Sequence, residues 1–163
     1  MTKIKMNLGE LGLDYSEAGS KFAAGTSEFG VQLGLFGLGA ALYEVPPGKS
    51  ATPFHRHHTS DEMFVILDGE GIYRYGEQRI PVARMDCVSA PAGGEGHQLI
   101  NVGPTPLRYL AFSNNTNADV VEYLDSGRVR IDIGATGHHR ENATFGVGGR
   151  LVPMDYWEGE DID

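Results

Sequence analysis

One group of four residues most constrains what this chain of 163 residues can fold into. It consists of two histidines separated by one residue, a glutamate that follows them, and a more distant third histidine. The pair is His55 and His57, the glutamate is Glu62, and the third histidine is His97. Side chains two residues apart on a β-strand leave the same face, so the pair is expected to point in one direction. Glu62 and His97 each begin an apolar, strand-like run. Two facing strands would bring all four side chains to one point.

Three imidazoles and one carboxylate together form a donor set for a divalent transition metal. Such a set suits iron, manganese, nickel, copper or zinc, whereas calcium and magnesium take oxygen ligands. Surface histidines on a polar loop are the alternative interpretation, and for an isolated histidine pair this is the commoner one. Two neighbouring residues keep the ligand set open, because His58 could replace His57 and Asp61 could replace Glu62.

The remaining sequence has the pattern of a β protein with many turns, since it contains 23 glycines and 8 prolines. Strands are predicted over 62–67, 72–75, 78–80, 87–90, 97–102 and 107–112, and strands or extended arms over 119–124 and 129–133. The segments 72–75 and 78–80 are expected to pair as a hairpin across Gly76 and Glu77. The stretch 134–150 is rich in glycine and polar residues and is predicted to be a loop.

Two segments of the chain resemble the two sequence motifs of the cupin superfamily. In segment 48–69, a glycine, the histidine pair, the glutamate and a second glycine follow one another in the order of the first motif. In segment 85–101, a proline, a glycine, a histidine and an asparagine follow the order of the second. Two spacers are each one residue longer than in the family. Met85 stands where the family has a glycine, so the backbone there is expected to avoid positive φ.

The resemblance implies an all-β fold, an antiparallel double-stranded β-helix or jelly-roll barrel with N- and C-terminal extensions. It further implies a single domain over 1–163, with the motif core at about 45–113. Inward and outward residues alternate along barrel strands. On that alternation, Phe64, Ile66 and Leu99 are expected to line the cavity. Tyr73 and Phe112 are further candidates for the lining, with a purely core-filling role as the alternative. Asn101 is expected to hold a turn together by hydrogen bonds.

The resemblance also implies that His55, His57, Glu62 and His97 hold the metal. Four protein ligands leave one or two open positions on the ion, which is typical of a catalytic or binding site. Implied activities are those of a dioxygenase, a decarboxylase, or a sugar or sugar-phosphate isomerase acting on a small oxygen-bearing substrate. A non-catalytic small-molecule-binding or sensor protein is the alternative. No catalytic residue is identified, so whether the chain is an enzyme stays open.

The composition of the chain limits which kinds of partner it can bind and which cellular compartment it is expected to occupy. The 22 acidic and 13 basic residues give a net charge of −9, which argues against nucleic acid as a partner. No run approaches the roughly 18 apolar residues of a membrane span, and the first residues lack the apolar core of a signal peptide. We therefore expect a cytoplasmic protein with no membrane partner, and the family resemblance implies a homodimer.

Two further features lie outside the motifs. Cys87 is the single cysteine, so no intrachain disulfide can form. Because Cys87 lies in an apolar strand, it is expected to be a small buried hydrophobe. His138 and His139 fall in the predicted loop. They are interpreted as solvated residues, with a lid over the barrel mouth as the alternative.

Overall fold

Two antiparallel β-sheets form the body of the protein in a computed structural model that describes residues 3–135 and 143–162. Thirteen strands lie in the described part of the chain. They are β1 Asp14–Ala18, β2 Phe22–Ser27, β3 Leu38–Val45, β4 His55–His57, β5 Glu62–Asp68, β6 Glu70–Tyr75, β7 Gln78–Ala83, β8 Cys87–Ala90, β9 His97–Asn101, β10 Leu107–Asn114, β11 Ala118–Tyr123, β12 Arg128–Ile133 and β13 Phe145–Gly149. A 3₁₀ turn, Leu8–Glu10, and one short helix, α1 Phe29–Gln32, complete the elements.

The strand order is that of a jelly roll. One sheet has six strands in the order β1-β2-β3-β10-β5-β8, and the other has seven in the order β13-β12-β11-β4-β9-β6-β7. Every named pair is antiparallel; for example, β3 pairs with β10 from Val45 opposite Leu107 to Leu38 opposite Asn114. The all-β fold class is therefore confirmed. Among the described residues, no helix is long and apolar enough to cross a membrane.

Most predicted strands are present at nearly the expected positions. The hairpin of β6 and β7 pairs Tyr75 with Gln78 across the two expected turn residues. The two weaker segments form the paired strands β11 and β12. The loop prediction for 134–150 is wrong over Phe145–Gly149, because β13 pairs with β12 through its backbone even though its side chains are exposed. His138 and His139 lie outside the described residues.

The two faces of the six-stranded sheet bury different clusters. The face toward the other sheet contributes to the main core with residues such as Phe64, Ile66 and Tyr109, which pack with Tyr73 and Leu99 of the seven-stranded sheet. The opposite face packs against the N-terminal segment in a second cluster.

Phe112 belongs to the second of these clusters. It packs around Phe29, Ala40 and Leu42. Along β10, Tyr109 and Ala111 point into the main core and Phe112 points the other way. The expectation that Phe112 lines the cavity is corrected, since strand alternation places it on the outer face.

Asn101 at the end of β9 holds a turn, as expected. Its side chain is fully buried, and its Nδ2 donates to the carbonyl oxygens of Val45 and Thr105, each at 2.8 Å. Its Oδ1 accepts from the backbone N–H of Gly103 at 2.9 Å. One side chain thereby provides hydrogen-bond partners for three backbone groups.

The edge strand β8 corrects the expectation for the cysteine. Cys87 begins this strand and is exposed. It pairs with Val65 of β5 on one side, and β8 has no further strand beyond it in the sheet. The apolar neighbours of Cys87 in sequence did not reveal that the strand lies at an edge.

Met85, in the turn before β8, also departs from expectation. Its φ is +75°, and it is the one non-glycine residue with positive φ in the described part of the chain. The prediction that this residue avoids positive φ is therefore wrong: Met85 adopts the left-handed conformation that favours glycine. Met85 is 76% exposed, so burial of its side chain offers little compensation for this conformation.

Replacing Met85 with glycine should stabilise the protein. The left-handed conformation costs a residue with a Cβ about 1–2 kcal/mol, and glycine avoids this cost at the expense of some backbone entropy. We expect the free energy of unfolding to rise by about 0.5–1 kcal/mol in Met85→Gly, measured by urea denaturation. The control is Arg84→Gly, which is expected to destabilise the protein. An equal loss in both variants would contradict the assignment of strain to residue 85.

Candidate metal centre

The four predicted ligands come from both sheets. His55 and His57 occupy the two ends of β4, and His97 begins the neighbouring strand β9 directly opposite His55. Glu62 begins β5 in the other sheet, where burial alternates so that its side chain points inward. Three imidazoles of one sheet therefore meet a carboxylate of the opposing sheet inside the sandwich.

One oxygen of Glu62 is the point on which the imidazoles converge. Glu62 Oε2 lies 2.8 Å from His97 Nε2, 3.4 Å from His57 Nε2 and 3.8 Å from His55 Nε2. Donor atoms of His55, His57 and Glu62 all lie within 4.8 Å of one another. That mutual set does not include His97, which joins the cluster through its contact with Glu62.

Second partners hold two of the rings in one tautomer. His55 Nδ1 lies 2.8 Å from the carbonyl oxygen of Pro53, which can only accept, so this nitrogen carries the proton. His57 Nδ1 lies 2.5 Å from Asp119 Oδ2 and donates to it in the same way. In the neutral ring of His55, Nε2 is then left with a lone pair, and the Nε2 atoms of both rings lie within 3.8 Å of Glu62 Oε2. A carboxylate or carbonyl behind a histidine is the usual support of a metal-binding imidazole.

Burial and neighbouring groups set the charges of the site. Burial, with a further contribution from His97, lowers the pKa of His55 to about 3, so this ring is neutral near pH 7. Burial alone would raise the pKa of Glu62, but the hydrogen bond from His97 and the other imidazoles outweigh it and lower that pKa to about 2. Neutral imidazole and ionised carboxylate are the forms that bind a metal.

The donor set fits a divalent transition metal. His55 Nε2, which carries a lone pair, lies 3.8 Å from an ionised oxygen of Glu62, an arrangement that a cation would stabilise. His97 Nδ1 is buried without a hydrogen-bond partner among the described residues, so this ring lacks the second support that its two companions have. Nitrogen and carboxylate donors of this kind are those that transition metals prefer.

The two alternative ligands of the sequence analysis point elsewhere. His58 Nε2 lies 3.1 Å from Glu122 Oε1, and its side chain is 36% exposed. Asp61 accepts a hydrogen bond from the backbone N–H of Ala92 at 2.8 Å. Strand alternation turns each of them away from the cluster that its neighbour enters.

Phe64, Ile66, Leu99 and Tyr73 lie in the core on the side of the His97 ring, and none of them lines the small cavity that adjoins His57 and Glu62. The Phe64 ring centroid lies 5.7 Å from that of His97 and 6.3 Å from that of Tyr73. Ile66 and Leu99 are buried in the same core cluster. The Tyr73 hydroxyl donates to the carbonyl oxygen of Ser89 at 2.9 Å, which orients it away from the histidines.

A small polar cavity adjoins His57 and Glu62. Its volume is about 60 Å³, and its walls include Asp119 and Asp132. Sequence reasoning did not identify either carboxylate as part of the site. The available signal was weak: Asp119 begins an alternating segment, two residues before Val121, which pairs with His57. Nothing local in the sequence indicates that β11 lies beside β4.

The ring of His55 should be neutral in the metal-free protein. We expect it to carry its proton on Nδ1 from pH 5 to pH 8, because its pKa is about 3 and Pro53 accepts from that nitrogen. The unfolded chain would bind a proton near pH 6.5, so this group's contribution to stability should fall as the pH is lowered from about 6.5 toward 3. Multiple-bond ¹H–¹⁵N NMR reports the tautomer, and an imidazolium signal at pH 6 would contradict the assignment.

Comparison with known proteins places this chain among relatives of the same fold. A model of the cupin domain matches residues 41–113. An oxalate-binding protein from Thermotoga maritima is 35% identical over 71 residues, which make up 44% of this chain and 57% of that protein. The chain spans about half the length of the curated relatives it matches.

Two solved structures resemble nearly the whole chain. A sugar phosphate isomerase of the cupin superfamily from Silicibacter pomeroyi superposes with a TM-score of 0.74 at 19% identity, covering 98% of this chain and 96% of its own. A candidate sugar phosphate isomerase from Acidithiobacillus ferrooxidans gives a TM-score of 0.76 at 20% identity, covering 93% and 98%. At these identities the likeness shows the fold alone.

Proposed function

The chain belongs to the cupin superfamily, and we propose that it is a metal-dependent enzyme acting on a small oxygen-bearing substrate. The ligands would be His55, His57, Glu62 and His97. The observation that carries the proposal is the convergence of three imidazole nitrogens on one buried oxygen of Glu62.

The residues around the site would divide the work of binding and orientation. A divalent metal in this position supplies a Lewis acid for a carbonyl or carboxylate oxygen. Pro53 and Asp119 orient two of the rings. Ionised Glu62 offsets one of the two positive charges, so the four ligands with the metal carry a net charge of +1. Such a site attracts an anionic oxygen.

The cavity favours a ligand of few atoms. Its 60 Å³ accommodate a few waters or a short carboxylate. Dioxygenase, decarboxylase and isomerase chemistry all begin with an oxygen-bearing substrate at such a metal, and the identity of the metal would separate them. Iron would favour dioxygenase chemistry, whereas manganese, nickel or zinc would favour decarboxylation or isomerisation.

Non-catalytic binding of a small carboxylate is the second candidate function. General acid catalysis needs a group that can donate a proton to the substrate. Burial would raise the pKa of Asp119, but hydrogen bonds from His57 and Thr59 lower it, so this carboxylate is ionised. Asp132, the other carboxylate in the cavity wall, accepts from Arg130 at 2.7 Å. The relative from Thermotoga maritima is named for oxalate binding.

Metal content tests the ligand set. Protein purified without a histidine tag is expected to contain about one transition metal ion per chain, measured by inductively coupled plasma mass spectrometry. His57→Ala and Glu62→Gln should lose it, since each removes a donor. Asp119→Asn should weaken affinity in chelator competition by about 10- to 100-fold, because it removes the support of His57.

The neighbouring residues provide matched controls. His58→Ala and Asp61→Asn change the same residue types beside the site and should keep the metal, because both side chains point away from Glu62. Equal metal content in all five variants, or none in the wild type after reconstitution, would contradict the proposal.

Oxalate titration separates the two candidate functions. We expect metal-loaded wild type to bind oxalate in isothermal titration calorimetry and Glu62→Gln to bind it much more weakly. Conversion of ¹³C-labelled oxalate, or of a sugar phosphate supplied instead, would be followed by NMR. Turnover of either that depends on the metal would support the enzyme, whereas oxalate binding with no turnover would support the binding protein. The expected cytoplasmic homodimer stays a prediction.

A further inference from the structure

A large cleft lies on the outer face of the seven-stranded sheet, behind the metal centre. Its volume is about 720 Å³. Gln98 and Ile100 line it and alternate along β9 with His97 and Leu99, which point into the core. The cleft therefore opens on the side of the sheet opposite to Glu62. Nothing in the proposed function uses this surface.

The charge of the cleft is opposite to that of the whole chain. Four cations line it, Lys21, Arg74, Arg79 and Arg128, with one carboxylate, Asp125. Arg74 donates two hydrogen bonds to Asp125, at 2.8 and 2.9 Å. The other three cations form no ion pair with a residue in the described parts of the chain. The lining thus carries a net charge of +3, although the chain carries −9.

Aromatic and apolar side chains give the cleft a rigid wall. The Arg74 guanidinium lies 3.5 Å from the centroid of the Phe54 ring, so stacking and the bond to Asp125 both orient it. Arg128 lies 5.9 Å from the centroid of Tyr123. Phe22 and Ile100 add apolar surface beside these groups. The cleft thus combines aromatic and apolar surface with charged donors that could fix the orientation of a small ligand.

We propose that this outer cleft binds a phosphate monoester with a small carbon body. A phosphate monoester carries nearly two negative charges, which matches the excess of unpaired cations better than a single carboxylate does. Guanidinium groups present paired donors with the geometry of phosphate oxygens. The volume lies within the roughly 300–1,000 Å³ of ligand pockets, so the wall of Phe54 and Phe22 can cover the carbon part of the ligand.

Titration with phenyl phosphate, followed by ¹H–¹⁵N NMR of the full chain, tests the site. The titration is run on protein as purified and again after chelation of metal, so its outcome does not depend on the metal centre. We expect saturable shifts at the amides of Gln98, Ile100 and Ser126 in both states. The double variant Arg79→Ser/Arg128→Ser should bind at least about tenfold more weakly, since it removes two charged donors.

A double variant elsewhere on the surface controls for net charge. Lys5→Ser/Arg84→Ser removes the same charge at positions outside the cleft and should bind as the wild type does. All four substituted residues are exposed and form no ion pair with a described residue, so folding should be retained. Equal affinity in the two double variants would overturn the proposal, as would the absence of saturable shifts. Shifts confined to the amides of the metal-centre histidines would also overturn it.

The acidic C-terminal segment could occupy the outer cleft in place of a phosphate monoester, and truncating the chain distinguishes the two. Residues 151–162 are exposed and carry four carboxylates. The segment follows Arg150, which donates to the carbonyl oxygen of Ser126 at the rim of the cleft. A chain ending at Arg150 should bind phenyl phosphate with the affinity of the full chain. Binding that appears only after truncation would assign the cleft to this segment and overturn the ligand site.

Discussion

The ionised carboxylate of Glu62, buried between two sheets, is the interaction on which the organisation of the site depends. A buried charge without partners costs several kcal/mol, so the surroundings must compensate for it. His97 does so by donating to the carboxylate, and the Nε2 atoms of His57 and His55 lie 3.4 and 3.8 Å from the same oxygen. A bound cation would stabilise the ionised carboxylate further. The barrel therefore combines a well-packed apolar core with a buried cluster of polar ligands whose charge favours a bound metal.

The parts of the fold that depend on local pattern could be predicted from the sequence. Alternation along β5 and β9 gave the inward positions of Phe64, Ile66 and Leu99, because the histidines and Glu62 indicated which face was inward. The same argument separated His57 from His58. On β10 no such marker exists, and alternation by itself divides a strand into two faces without telling which is inside. Phe112 was therefore assigned to the wrong face.

The features that sequence reasoning missed depend on contacts between distant segments. Asp119 meets His57 across 62 positions of the chain, through the pairing of β11 with β4. The exposure of Cys87 follows from the position of β8 at a sheet edge, which no run of neighbouring residues encodes. Met85 is a different case: its backbone is left-handed although glycine is the residue that best fits this conformation. There the fold, and not the local preference of the residue, determines the backbone.

Pro53 contributes to both the outer cleft and the candidate metal centre. It lines the outer cleft, and its carbonyl oxygen is the acceptor that holds the His55 ring. The next residue, Phe54, stacks under Arg74 in the cleft, and the one after that is His55 itself. Pro53 and Phe54 thus lie between the basic outer cleft and the candidate metal centre. Because the acceptor of His55 Nδ1 belongs to a residue of the outer cleft, any movement of Pro53 would also move the hydrogen bond that orients the His55 ring.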